Sequence, residues 1–126
     1  MISVVDDDTF VREATADFID SLGYAVRTFP SAEEFLASGH LQNTKCLITD
    51  LQMPGLDGLQ LQDCVLRRGY RIPIIFITAF PKESARARAV DAGAIAFLTK
   101  PFDDSRLEHF IELAMNHADN RCCETS

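Results

Sequence analysis

None of the apolar stretches in these 126 residues approaches the roughly 20 that a membrane-spanning helix requires. Glycine and proline are scarce, at 6 and 5, which excludes collagen-like and low-complexity chains. No run of Lys and Arg is present to grip a phosphate backbone. The balance of 19 acidic against 12 basic side chains, a net charge of −7, argues further against direct nucleic-acid binding. Cys46, Cys64, Cys122 and Cys123 show no Cys-x-x-Cys spacing, and the 3 histidines stand far apart. Such a set suits reduced thiols in the cytoplasm. Cys122-Cys123 near His117 could capture a soft metal, but a frayed tail is the preferred reading. Met1 to Val5 runs straight into three aspartates and lacks the pattern of a secretory signal.

What remains is an ordinary globular composition, 47% apolar and 25% charged, of a length that makes one domain. Short apolar runs alternate with longer amphipathic ones. Ile2 to Val5, Tyr24 to Phe29, Cys46 to Thr49, Ile72 to Ile77 and Ala94 to Leu98 read as strands. Val11, Ala14, Phe18 and Leu22 recur at helical spacing up to Gly23, with Asp8 as the N-cap. Ser31 with Glu34 reads as a capping box, Asp57 as the cap of a third helix, and Ser84 to Ala92 as a fourth. The last helix opens near Asp104 and turns Leu107, Phe110, Ile111 and Ala114 inward. Residues 1–118 form the predicted domain, with 119–126 a polar, disordered tail. Alternation of this kind predicts a doubly wound parallel α/β sheet with helices on both faces.

Sites in such sheets lie beyond the carboxyl ends of the strands, at the switch in strand order. The predicted strands end in Asp6-Asp7, in Asp50, in Thr78 and, at the fifth, in Lys100. Three carboxylates brought together repel one another unless a cation neutralises them. Hard oxygen ligands at a shallow site favour Mg²⁺. An ammonium and a hydroxyl facing a metal-bound carboxylate suit a phosphoryl group transferred to that carboxylate. Each of these residues taken singly is a weak signal, a cap or a turn. Their coincidence at four strand ends is not.

Val4-Val5-Asp6-Asp7-Asp8, Thr49-Asp50-Leu51-Gln52-Met53-Pro54-Gly55-Leu56-Asp57-Gly58, Ile77-Thr78-Ala79 and Phe97-Leu98-Thr99-Lys100-Pro101-Phe102 together resemble a response-regulator receiver domain of two-component signalling. Val11-Arg12 and Lys100-Pro101-Phe102 make it most similar to receivers of nitrogen-fixation and LuxR-type transcriptional regulators. The resemblance implies a flavodoxin-like (βα)5 fold with strand order 2-1-3-4-5. It also implies that Asp50 accepts a phosphoryl group from a histidine kinase. Asp7, Asp50 and the carbonyl of Gln52 would hold Mg²⁺ directly, with Asp6 contributing mostly through water, while Thr78, the amide of Ala79 and Lys100 would hold the phosphate oxygens. Thr78 and Phe97 would form the switch, repacking the face built by the fourth helix, fifth strand and fifth helix. The Lys100-Pro101 peptide would be cis. Gln52 and Phe80 would set the lifetime of the phosphate, with Phe80 shielding phosphorus from water. Implied partners are a sensor histidine kinase or phosphotransfer protein, a downstream protein or an output domain absent from this chain, and a phosphorylation-dependent second copy. No helix-turn-helix follows the last predicted helix. A receiver of this kind is a cytoplasmic switch that catalyses only its own phosphorylation and dephosphorylation.

Two rival readings differ in class. A phosphatase of the haloacid dehalogenase type also uses aspartates after a first strand, Mg²⁺, a hydroxyl and a lysine, and Asp6-x-Asp8 matches superficially. That pattern wants Thr or Val where this chain has Phe10, leaves Asp50 without a role, and needs a longer chain. A degenerate receiver acting only as a binding module would lack the acceptor, the metal-binding pair or the lysine, and all are present.

Overall fold

In the computed structural model the backbone is described for residues 1–100 and 103–125, and the side chains for 1–100 and 103–116. Five strands, β1 (Ile2–Val5), β2 (Val26–Phe29), β3 (Cys46–Asp50), β4 (Ile74–Thr78) and β5 (Ala96–Thr99), form one sheet in the order β2-β1-β3-β4-β5. All four pairings are parallel. The expected fold class and strand order hold. β1 and β4 are buried along their whole length because helices cover both faces.

Side chains alternate across the sheet, so each strand feeds two cores. Ile2, Val4, Ile48, Ile75, Ile77 and Leu98 meet Ile19 of α1 (Thr9–Ser21) and Leu107, Ile111 and Ala114 of α5 (Asp104–Thr125). Val5, Leu47, Ile74 and Phe76 meet Phe35 of α2 (Ala32–Ala37), Leu61 and Val65 of α3 (Gly58–Arg67) and Ala89 of α4 (Glu83–Asp91). Fully burying one such aliphatic or aromatic side chain stabilises by about 1.5–3 kcal/mol.

The caps follow the local chemistry. Asp8 accepts from the amides of Phe10 and Val11, and Ser31 from Glu34. Asp57 and Gln60 complete a reciprocal capping box at α3. Two sequence expectations shift. The buried residues of α1 are Thr15 and Ile19, whereas Val11 and Phe18 are half-buried and Ala14 is exposed. The helix is rolled so that Val11, Ala14 and Phe18 line a groove toward Leu107 and Asp104 of α5. α5 continues as helix to Thr125, past Asp119, where the tail was expected to begin; no Gly or Pro interrupts that stretch. The expected cis Lys100-Pro101 peptide lies outside the described residues, as do the side chains of His117, Cys122 and Cys123.

Candidate functional site

β1 and β3 are neighbours, although β2 lies between them in sequence. The order of the sheet therefore reverses at their shared carboxyl end, which opens a crevice there. Asp6 and Asp7 follow β1, and Asp50 ends β3. One carboxylate oxygen from each of Asp6, Asp7 and Asp50 lies within 4.8 Å of the others. Asp6 is buried, Asp50 half-buried and Asp7 exposed, so the cluster opens to solvent on one side. Lys100, just past β5, reaches across with Nζ at 3.6 Å from Oδ2 of both Asp6 and Asp50.

Burial raises the carboxyl of Asp6 above its usual range, and the nearby Asp50 and Asp7 add to the rise. The amide of Asp8, which donates to Asp6 Oδ1 at 2.9 Å, and the ammonium of Lys100 pull the other way. Asp50 is raised for the same first reason, burial, and Lys100 opposes it most strongly. One ammonium between a buried and a half-buried carboxylate leaves the group of three aspartates under-neutralised. That is the condition a divalent cation relieves, and an all-oxygen donor set open to water fits Mg²⁺.

Thr78 ends β4, fully buried, its Oγ1 accepting from the amide of Phe80 at 3.1 Å. Its own carbonyl accepts from the amide of Lys100 at 2.8 Å, which ties the ends of β4 and β5 together. Ala79 next to it is exposed. Phe76 pairs with Phe97 and Thr78 with Thr99, so by alternation Thr78 and Phe97 share a face of the sheet. Phe97 is half-buried, its ring centroid 6.1 Å from that of Phe76. Gln52 is exposed and donates its amide to Asp50 Oδ1 at 3.3 Å.

Two contributors escaped the sequence reading. Arg12 donates from Nη1 to the carbonyl of Asp6 at 2.8 Å, clamping the turn that carries the acidic pair. Gly58 lets α3 approach the end of β3: a Cβ there would stand 2.6 Å from the carbonyl oxygen of Asp50 and 3.0 Å from Phe76 Cε1. The first had only a motif resemblance to suggest it. The second had a glycine at the start of a helix, a position that often marks close packing.

Residues 2–112 match the family model of the response regulator receiver domain. The chain belongs to that family. It is 36% identical over 114 residues to the transcriptional regulatory protein TdiR of Thauera aromatica, covering 90% of this chain and 50% of TdiR. Against the transcriptional regulatory protein FixJ of Bradyrhizobium diazoefficiens the identity is 35%, over 94% of this chain and 58% of FixJ. A solved structure of the response regulator StyR superposes with a TM-score of 0.91 at 38% identity, covering 98% of this chain and 63% of that one. The crystal structure of FixJ-N gives 0.83 at 35%, covering 92% and 93%. The receiver spans about half the length of the curated relatives it matches. Membership makes it a signalling domain of a two-component system that works through phosphorylation. Among the described residues no helix is long and apolar enough to cross a membrane.

Proposed function

We propose that Asp50 is the phosphoryl acceptor of a Mg²⁺-dependent switch spanning residues 1–118. The observation that carries this is the convergence of Asp6, Asp7 and Asp50 within 4.8 Å, with Lys100 Nζ 3.6 Å from two of them, at the β1/β3 crevice. An Asp50 oxygen attacks the phosphorus of a kinase phosphohistidine. The new P–O bond forms as the P–N bond breaks, and the imidazole nitrogen leaves with the electron pair. Mg²⁺ held by Asp6, Asp7, Asp50 and the Gln52 carbonyl would neutralise charge developing on the phosphoryl oxygens. Lys100 serves a further oxygen as an ammonium, and Thr78 with the Ala79 amide a third.

The Thr78 hydroxyl accepts from the amide of Phe80 and keeps its own hydrogen to donate, so its movement toward a phosphate oxygen would draw the loop after β4 with it. Phe97, on the same face, then turns into the vacated space. α4 holds one buried residue, Ala89, so little packing opposes the resulting shift of the α4-β5-α5 face. That face is the proposed contact for a downstream protein, an output domain or a second copy in the cytoplasm, as the transcriptional regulators among the relatives suggest.

Incubation with acetyl phosphate or a beryllofluoride mimic, with and without Mg²⁺, tests the reading. Modification should fall on Asp50, require Mg²⁺ and vanish in Asp50→Asn. Labelling of Asp6 instead would support the phosphatase reading, and absence of Mg²⁺-dependent labelling a pure binding module.

A further inference from the structure

The loop between β3 and α3 carries Gln52 and runs to the Asp57 cap. Both of its ends are pinned. Gln52 donates to Asp50 at 3.3 Å, and Gly58 donates to the carbonyl of Leu51 at 2.8 Å. Met53 is buried and Leu56 packs on the core beneath, which fixes the loop's inner side. Its outer side is different. Pro54 has no amide hydrogen to offer, and Gly55 is exposed at φ +76°, a conformation open to glycine at little cost. Across 23 residues of sequence, Glu33 on α2 fills this gap. Its Oε2 accepts from the amide of Leu56 at 3.4 Å. Its carboxylate also occupies the place where a Cβ on Gly55 would point. Among the described residues this is the hydrogen bond joining the middle of the loop to another element.

We infer that Glu33 is a positioning residue, which holds the β3–α3 loop so that the Gln52 carbonyl is presented to the cation. α2 carries none of the groups assigned to phosphoryl transfer, and Glu33 touches none of them. Its effect runs through the loop backbone alone. The inference rests on the receiver reading of the acidic cluster and adds to it a residue outside the family motif. Without the tether the outer loop samples more conformations, and the Gln52 carbonyl is presented to the cation for a smaller fraction of the time while Asp6, Asp7 and Asp50 stay in place.

The test is a Mg²⁺ titration of the unphosphorylated chain, followed by amide NMR shifts, with hydrogen exchange of the Leu56 amide measured alongside without metal. Glu33→Ala should raise the Mg²⁺ dissociation constant about threefold to tenfold, the worth of one hydrogen bond, and speed Leu56 exchange. Glu33→Gln keeps an acceptor oxygen and loses the charge, so it should stay near wild type in both readouts. An unchanged constant in Glu33→Ala overturns the inference. So does a Glu33→Gln variant as weak as Glu33→Ala, because charge rather than the tether would then be responsible. If the wild type itself fails to bind Mg²⁺, the receiver reading falls. The Leu56 exchange rates of the three proteins still decide the tether on their own.

Discussion

The two ends of the sheet treat buried polar groups in opposite ways. At the amino end, Ser3 and Thr44 are both buried, and their hydroxyls lie 2.8 Å apart. Thr44 passes its hydrogen to the carbonyl of His40 at 2.7 Å, so Ser3 donates to Thr44 and the chain of donors closes on an acceptor. Cys46, next to this network, is a wholly buried thiol pushed up to about 12 by loss of solvent. The buried groups here, Ser3, Thr44 and Cys46, are neutral, and both hydroxyls are satisfied. At the carboxyl end, Asp6 and Asp50 are held above their usual range by burial, with Lys100 shared between them. One rim is built for stability. The other keeps an unrelieved charge, available to whatever cation and phosphoryl group arrive.

The largest effect should come from removing the acceptor. Asp50→Asn should cut Mg²⁺-dependent labelling by acetyl phosphate at least about 10³-fold, as expected when a nucleophile is removed. The folded metal-free protein should become more stable, because a buried charge is gone. A variant that is both unlabelled and less stable would place Asp50 on the satisfied side of the contrast.

Next in size is Gly58→Ala. The added methyl meets the carbonyl oxygen of Asp50 at 2.6 Å, backbone that cannot rotate away. Chemical denaturation should show a loss of about 1–3 kcal/mol, the usual cost of overpacking. At the opposite rim, Thr44→Val preserves shape but leaves the Ser3 hydroxyl without its acceptor. It should cost about 1–2 kcal/mol of stability and leave the rate of phosphorylation untouched. Altered phosphorylation in Thr44→Val would mean the two ends are coupled.

How much of this was legible beforehand depends on distance along the chain. Asp6, Asp7, Asp50, Thr78 and Lys100 each close an apolar run, and the rule that parallel sheets present their carboxyl ends together makes them one group from the sequence alone. Asp8 and Asp57 were readable as caps because their partners are two or three residues away. The roll of α1 was not readable. Its apolar residues cover more than one side, and only tertiary packing decides that Ile19 joins the sheet core and that Thr15 is buried with it. Glu33 was hidden for the same reason. A glutamate in the first turn of a helix has a sufficient local explanation in the helix dipole, and its contact with Leu56 exists only once α2 and the loop are packed.

A pH series sharpens the contrast between the rims. A carboxyl whose folded value is raised binds its proton more tightly when folded. Its contribution to stability is present below the ordinary aspartate value of 3.8 and is lost as pH rises through the raised folded value. In chelator, the wild type should therefore fall behind Asp50→Asn progressively as pH climbs from 3.8 toward neutrality. Urea midpoints of the two proteins at each pH measure this, together with the part of the Asp6 rise that the Asp50 charge causes. Mg²⁺ should narrow the gap at neutral pH by stabilising the folded wild type in proportion to its occupancy. A gap independent of pH would mean the carboxyl of Asp50 is not under strain.

The smallest expected effect concerns Phe80, which is 68% exposed although its amide is held by the buried Thr78. A large apolar ring left in solvent beside a charged crevice gains no stability there. Its proposed use lies in the phosphorylated form, where movement of Thr78 would carry the ring toward phosphorus and obstruct in-line water. Phe80→Asn replaces the obstruction with a group that can hydrogen-bond water. Loss of phosphate from Asp50 should then accelerate by a factor of about 2 to 5, under 1 kcal/mol of barrier, while the denaturation midpoint barely moves. An unchanged rate of phosphate loss would remove Phe80 from the reactive rim and leave it as an exposed side chain beside it.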